Sequence, residues 1–256
     1  MNDIFRPRRD EPADRYRSAE PDRLKDAPKR FYERVEVVRG GPTFEVRLDD
    51  RPVRTPGRSP LALATERSAR LVADEWAAQR ERIDPTTMPA TRLANTAIDG
   101  VANEMQAVRD DVVRYVGSDL LCYRAEEPEG LVAAEARAWD PHLDWAARHL
   151  GANFVLGQGI VPVQQPREAI ARFARHVANI DDPFRLAGLH VMTALTGSAI
   201  LALEVLEEAL DPGEAWAAAH VEEDWNVRLW GADEEASARR AAREIEMRTA
   251  AAFAVG

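Results

Sequence analysis

The side chains that could do chemistry are scattered along this chain, not clustered. Five histidines occur, His142, His149, His176, His190 and His220. None sits in a His-Glu-x-x-His motif, and no two stand three or four residues apart. A metal centre needs three or four converging ligands, so each reads as a helix-surface or packing residue. The carboxylate groups Asp110-Asp111, Asp181-Asp182 and Glu222-Glu223-Asp224 are runs of neighbours. Neighbours on a helix point about 100° apart and do not face each other across a shared proton, so they read as solvated acidic faces. Cys122 is the single cysteine. It can form no internal disulfide, which points to a reducing compartment. With only Arg124 nearby to favour a thiolate, it reads as inert packing.

Motifs that cradle or cleave small molecules are missing. There is no Gly-x4-Gly-Lys-Ser/Thr loop and no Gly-x-Ser-x-Gly elbow. Gly157-Gln158-Gly159 lacks the third glycine and the helix of a dinucleotide site. Two features point instead to contact with another macromolecule. From Glu204 to Asp224 there are eight acidic residues and no lysine or arginine, with a smooth run at Ala215 to Ala219. This reads as an exposed acidic helix pair or as a docking surface for a basic or polar patch. There are also six tryptophans, Trp76, Trp139, Trp145, Trp216, Trp225 and Trp230. A tryptophan serves equally as core or as a binding anchor, because its rigid ring buries much area at small entropic cost.

The net charge of -10 disfavours nucleic acid and anionic membranes. Only two lysines occur, Lys25 and Lys29, against 32 arginines, which reads as coding bias. The most apolar stretch, Leu189 to Leu210, carries Thr193, Thr196, Ser198 and three glutamates. It is a buried or half-buried helix of a soluble protein, not a membrane span. The first 30 residues hold nine basic and seven acidic side chains and no apolar core. Neither a secretory signal nor an acid-poor transit peptide looks like this. The expectation is a disordered charged tail over 1–29 and a bacterial cytoplasmic home.

Two kinds of element must position these residues. From Arg30 to Leu63 the apolar residues Val35, Val37, Phe44, Val46 and Leu48 alternate at period two. Turns fall at Gly40-Gly41-Pro42 and Asp49-Asp50-Arg51-Pro52, and Val53 to Thr55 makes a third short strand. The period then becomes helical. Thr65 caps a helix carrying Ala69, Val72, Ala73, Trp76 and Ala77, and Met88-Pro89 opens another. Two helices divided at Asp140-Pro141 are expected over Leu131 to Leu150, with Gly151 as a C-cap. Further helices are expected at Pro166 to Val177, Pro183 to Leu210, Glu214 to Leu229 and Asp233 to Ala252. Strands followed by helices predict an α+β fold: a small antiparallel β-rich domain over 30–85 and a larger multihelical domain over 86–256.

Several multi-residue words carry a resemblance. They include Arg30-Phe31-Tyr32, Leu48-Asp49-Asp50-Arg51-Pro52-Val53-Arg54-Thr55-Pro56, Asp74-Glu75-Trp76 with Gln79, and Ile83-Asp84-Pro85. Thr96-Ala97-Ile98-Asp99, Ser118-Asp119-Leu120-Leu121-Cys122-Tyr123-Arg124-Ala125 and Trp139-Asp140-Pro141 follow in order. Gly197-Ser198, Glu222-Glu223-Asp224-Trp225 and Trp230-Gly231 complete the set. In these words the chain resembles the assembly chaperones of the ATP synthase alpha subunit found in mitochondria and alphaproteobacteria. Asn226-Val227-Arg228 departs from the glutamine-bearing pattern of that family.

The resemblance implies a molecular chaperone with no catalytic residues, no metal and no cofactor. Its partner would be the unassembled ATP synthase alpha subunit, whose beta-facing surface it would shield until the beta subunit arrives. It would act as a monomer, without nucleic acid and without membrane insertion. The family carries a functionally important glutamate in the region of Glu222 and Glu223, so these two, with Trp225 and Trp230, are the expected partner-binding residues. Trp76 is expected to be structural, packing the first helix on the sheet. An enzyme of unknown type and a generic interaction adaptor are the alternatives.

Overall fold

The computed structural model describes residues 27–159 and 162–255. The charged tail expected over 1–29 therefore lies, up to residue 26, outside the described residues. Strands β1 (Val35–Gly40) and β2 (Thr43–Leu48) form an antiparallel hairpin in which Val35 faces Leu48 and Gly40 faces Thr43. Gly41 takes φ 71° at the turn, a conformation that suits glycine. Strand β2 is central: it also pairs with β3 (Arg51–Pro52) and β4 (Ala62–Leu63), and its Val46 and Leu48 are buried. The third strand thus forms at Arg51–Pro52, ahead of the Val53 to Thr55 expected. Pro52 has no N–H to extend a ladder, which confines β3 to a short edge.

Helix α1 (Glu66–Ala78) lies against the β1–β2 hairpin and buries Val72 and Ala73. The Thr65 side chain accepts from the Ser68 N–H at its start. Helix α2 (Pro89–Asp99) follows, and side chains fasten its two ends. At the start, Glu75 of α1 accepts from the Thr91 N–H at 2.8 Å, the Thr91 hydroxyl at 2.7 Å and the Ala90 N–H. At the other end, Asp99 accepts from the Thr55 hydroxyl and the Gly57 N–H, each at 2.7 Å. Between the helices, buried Gln79 accepts from the Asp84 N–H and donates to Thr87. Several of the quoted words thus lie along the joint between sheet and helices.

Helices α3 (Met105–Val116), α4 (Glu129–Trp145), α5 (Arg167–Ala178), α6 (Pro183–Thr196), α7 (Ala199–Leu206), α8 (Pro212–Ala219), α9 (Val221–Trp230) and α10 (Glu234–Val255) complete the larger part. Strands β5 (Tyr123–Arg124) and β6 (Gly157–Gln158) make a small parallel pair. The architecture is α+β, as the change of period predicted. Helix α6 is the hub, packed by α2, α3, α7 and α10. Gly188 permits the closest of these approaches. A Cβ there would lie 2.7 Å from the Ala250 carbonyl and 2.8 Å from the Ala254 methyl. One continuous apolar core runs from Val46 and Leu63 through Val72 and Leu93 to Leu189, Leu203 and Phe253.

Three helix boundaries correct the sequence expectation. Helix α4 passes straight through Pro141 and runs into a π turn at Ala146–Leu150, closed by Gly151 with φ 66°. Burial of Trp139 and Trp145 on either side of the proline holds the helix together where propensity alone would break it. The long helix expected from Pro183 to Leu210 is two, because Gly197 turns left-handed and Ser198 caps α7 by accepting from Leu201 N–H. The helix expected from Glu214 to Leu229 is also two, divided at His220, whose Nδ1 binds the Trp216 carbonyl at 2.7 Å.

The junction at Gly197-Ser198 is held by Asp119, a fully buried carboxylate. It accepts from the N–H groups of Leu121 and Ile200 at 3.1 Å each, and the Ser198 side chain also binds it. Burial still pushes its acid up to about 6 against these donors. Cys122, nearby in the chain, is buried as well, and burial pushes its thiol up to about 12. It is packing, not a nucleophile. No helix among the described residues is long and apolar enough to cross a membrane.

Candidate functional site

Helix α9 differs from every other long helix in having no buried residue. Four of the residues singled out in the sequence stand on it. Glu222, Glu223 and Asp224 occupy its first turn, where the helix dipole favours negative charge. Asp224 and Glu223 reach Arg240 of α10, at 2.5 and 3.9 Å. Glu222 is exposed. The half-buried Trp225 lays its ring against Gly130 of α4, so closely that a Cβ there would be 2.5 Å from the ring. The Arg228 guanidinium covers the Trp225 ring at 5.5 Å.

The far end of the helix is open. Trp230 is 84% exposed, Leu229 57% and Val227 38%. Gly231 then reverses the chain with φ 88°. A rigid indole, a leucine and a valine this exposed at the end of a helix add little to the stability of the chain by burial. Large exposed apolar side chains of this kind are the ones a contact surface draws on. Trp76 stands elsewhere, on α1, where its half-buried ring meets Tyr32 edge-on at 5.7 Å while the Tyr32 hydroxyl donates to the Trp76 carbonyl at 2.6 Å. The other three tryptophans are core residues, and Trp139 donates its indole N–H to the Ala218 carbonyl at 2.7 Å.

The acidic stretch from Glu204 to Asp224 does not form one surface. Glu204 is buried and pairs with His142 at 2.8 Å, Glu207 pairs with His176 at 3.1 Å, and Asp211 caps α8 by accepting from Gly213 N–H. His190 likewise meets Asp111 at 2.8 Å. Three of the five histidines, His142, His176 and His190, therefore serve as partners to acids across helix seams. Among the described residues no group of three metal-type ligands converges. A cleft of about 330 Å³ opens between α2, α3 and α6, with walls mostly of valine, alanine and leucine.

Residues 29–147 match the family profile described as ATP12 chaperone protein, a span that covers the sheet and α1 to α4. Atp12 from Paracoccus denitrificans, a solved structure, is 42% identical to this chain. The match covers 89% of this chain and 97% of that one, with a TM-score of 0.80. The chain belongs to the ATP12 chaperone family. A second solved structure, the Atu1473 protein from Agrobacterium tumefaciens, described as a chaperone, is 51% identical over 89% of this chain and 85% of its own, with a TM-score of 0.83. A point mutant of the Paracoccus protein also matches, at 42% identity over 88% and 96% of the two chains and a TM-score of 0.79. The family is one of chaperones for ATP synthase assembly, as the sequence words implied.

Sequence reasoning missed residues of α4 and α10 that stand beside α9. Glu135 sits in an alanine-rich run, Ala133-Ala134-Glu135-Ala136, with no pattern to mark it as buried. Gly130 follows Glu129 at the start of α4 and reads as a weak helix former; its function is to admit an indole. Arg240 is one of many arginines on α10. No sequence signal marked Gly130, because the helix expected from Leu131 begins two residues earlier, at Glu129.

Proposed function

We propose that this chain is a molecular chaperone that binds the unassembled ATP synthase alpha subunit and shields the surface meant for the beta subunit. It makes and breaks no bond. Alpha and beta alternate in a ring, so an isolated alpha subunit exposes apolar surface that would otherwise associate wrongly. The chaperone covers that surface as a monomer in the cytoplasm and gives it up to beta by competition. The β-rich part up to residue 85 serves as scaffold, and the helical part over 86–256 carries the contact face.

The observation that carries this reading is the exposed end of α9. Trp230, Leu229 and Val227 project from a helix whose first turn bears Glu222 and Glu223. An apolar ledge next to acid suits a client face that is apolar with basic neighbours. A stable complex would bury roughly 1,600 Å² in total, of which this ledge is the centre.

Co-expression of the tagged chain with the alpha subunit tests the reading. The wild type keeps alpha in solution and co-purifies with it. Trp230→Ala weakens capture by about tenfold or more. Glu222→Lys and Glu223→Lys weaken it while the far-ultraviolet spectrum and melting temperature hold. Undiminished co-purification of alpha with all three variants defeats the assignment of the contact to α9. Failure of the wild type to retain alpha defeats the reading itself.

A further inference from the structure

The run Phe154-Val155-Leu156 is apolar throughout, yet only its first residue packs on the core. Side chains alternate along an extended chain, so one of two consecutive apolar residues can face inward. Here Val155 and Leu156 both face solvent, 42% and 53% exposed. The segment is nevertheless pinned. The Gln165 side chain, itself buried, accepts the Val155 N–H and donates to the Val155 carbonyl, at 2.9 Å each. It takes the place of a neighbouring strand. Directly after Leu156, β6 pairs with β5, and the Gly159 N–H donates to the Arg124 carbonyl at 2.9 Å.

A strip of acid joins this exposed pair to α9. Gly159 lies against the Glu126 side chain, and Trp225 of α9 lies against Gly130. Between these two contacts run Glu126, Glu127, Pro128 and Glu129, all exposed. The step from Glu126 to Gly130 spans at most about 14 Å of chain, so loop and helix flank one continuous surface. Among the described residues no arginine or lysine pairs with these three glutamates. The nearby cations are engaged elsewhere. Arg228 covers the Trp225 ring and donates to the Asp224 carbonyl, and Arg124 pairs with Asp140 at 2.8 Å.

We propose that Val155 and Leu156, with Glu126, Glu127 and Glu129, form a second contact strip for the client of α9, and that it takes a client segment in which aliphatic side chains stand beside arginines or lysines. The proposal rests on the reading of this chain as a chaperone for the alpha subunit, and it says where, beyond α9, that subunit is gripped. The glutamates set the sign of the partner, since three uncompensated like charges side by side favour a cationic face over a neutral or acidic one. The aliphatic pair sets the rest. Pinned by Gln165 before the encounter, it loses little freedom when it is covered. Two contacts on one client reinforce each other although each is weak, so a competing subunit can displace them in turn.

Co-expression of the tagged full chain with the alpha subunit tests this. Val155→Ser combined with Leu156→Ser lowers capture of alpha by about tenfold while the melting temperature holds. Should the double variant fold poorly, Leu156→Ser alone decides. Glu126→Gln, Glu127→Gln and Glu129→Gln together lower capture to a similar degree. Their capture also responds less than that of the wild type when salt is raised from about 50 to about 500 mM. Undiminished capture by the aliphatic variant overturns the proposal, and so does a glutamine variant with wild-type capture and wild-type salt response. A wild type that dimerises without alpha, and that the same substitutions make monomeric, assigns the strip to a second copy and overturns it too. Failure of the wild type to retain alpha brings down the chaperone reading as well, whereas equal capture by wild type and variants brings down this strip alone.

Discussion

Helices α6 and α9 stand at opposite ends of one scale. Helix α6 buries Leu186, Ala187, Gly188, Leu189, Met192, Thr193 and Thr196, and α2, α3, α7 and α10 pack on it. Helix α9 buries none of its residues and ends in an exposed indole. The first is apolar because the fold needs it to be. The second is apolar at its tip although the fold gains nothing from it. A protein that acts by lending surface must keep these roles apart, so that the face it offers can change without unfolding the rest.

The sharpest way to break the contrast is to cut into the hub. Leu189→Ala removes a fully buried side chain from α6 and should cost about 3–5 kcal/mol in a denaturant titration. A loss below about 1 kcal/mol would mean the hub is not where the stability lies. Trp76→Arg comes next. The ring is half-buried against Tyr32, so replacing it with a charge should cost about 2–3 kcal/mol. A variant with the wild-type melting temperature would show that the ring contributes no packing.

Asp119 offers a smaller effect with a definite sign. Its folded acid stands at about 6, above the unfolded value of 3.8. Its proton-linked stability is present below about pH 4 and is lost as pH rises through about 6, by roughly 3 kcal/mol. The difference in stability between wild type and Asp119→Asn should shrink accordingly across that window. A constant difference from pH 4 to pH 7 would contradict this assignment. Smallest of all, Trp230→Ala should change stability by less than about 0.5 kcal/mol, even as it lowers alpha capture. A clear drop in melting temperature would place the indole inside the fold and erase the contrast with α6.

The strand-to-helix change of period was legible in the residues themselves, and so were the caps at Thr65 and Gly151. The failures share a cause. Pro141 is carried within α4 by tryptophans packed before and after it, which local propensity cannot register. Gly197-Ser198 does not announce a helix break in the sequence, because its meaning depends on Asp119, far away in the chain. The tryptophans and acids of α9 stand out in the sequence. The glycine that receives Trp225 does not, since Gly130 takes its role only from the ring that α9 brings to it. Burial of a lone carboxylate is a tertiary fact without a local signature.

The single thiol of this molecule has a practical consequence. Cys122 is sealed inside and strongly disfavoured as a thiolate, so alkylating dyes react with it only when the interior opens. The chain thus carries an intrinsic gauge of its own foldedness: the labelling rate in a crude extract reads out how often the molecule breathes, with no tag or engineered probe.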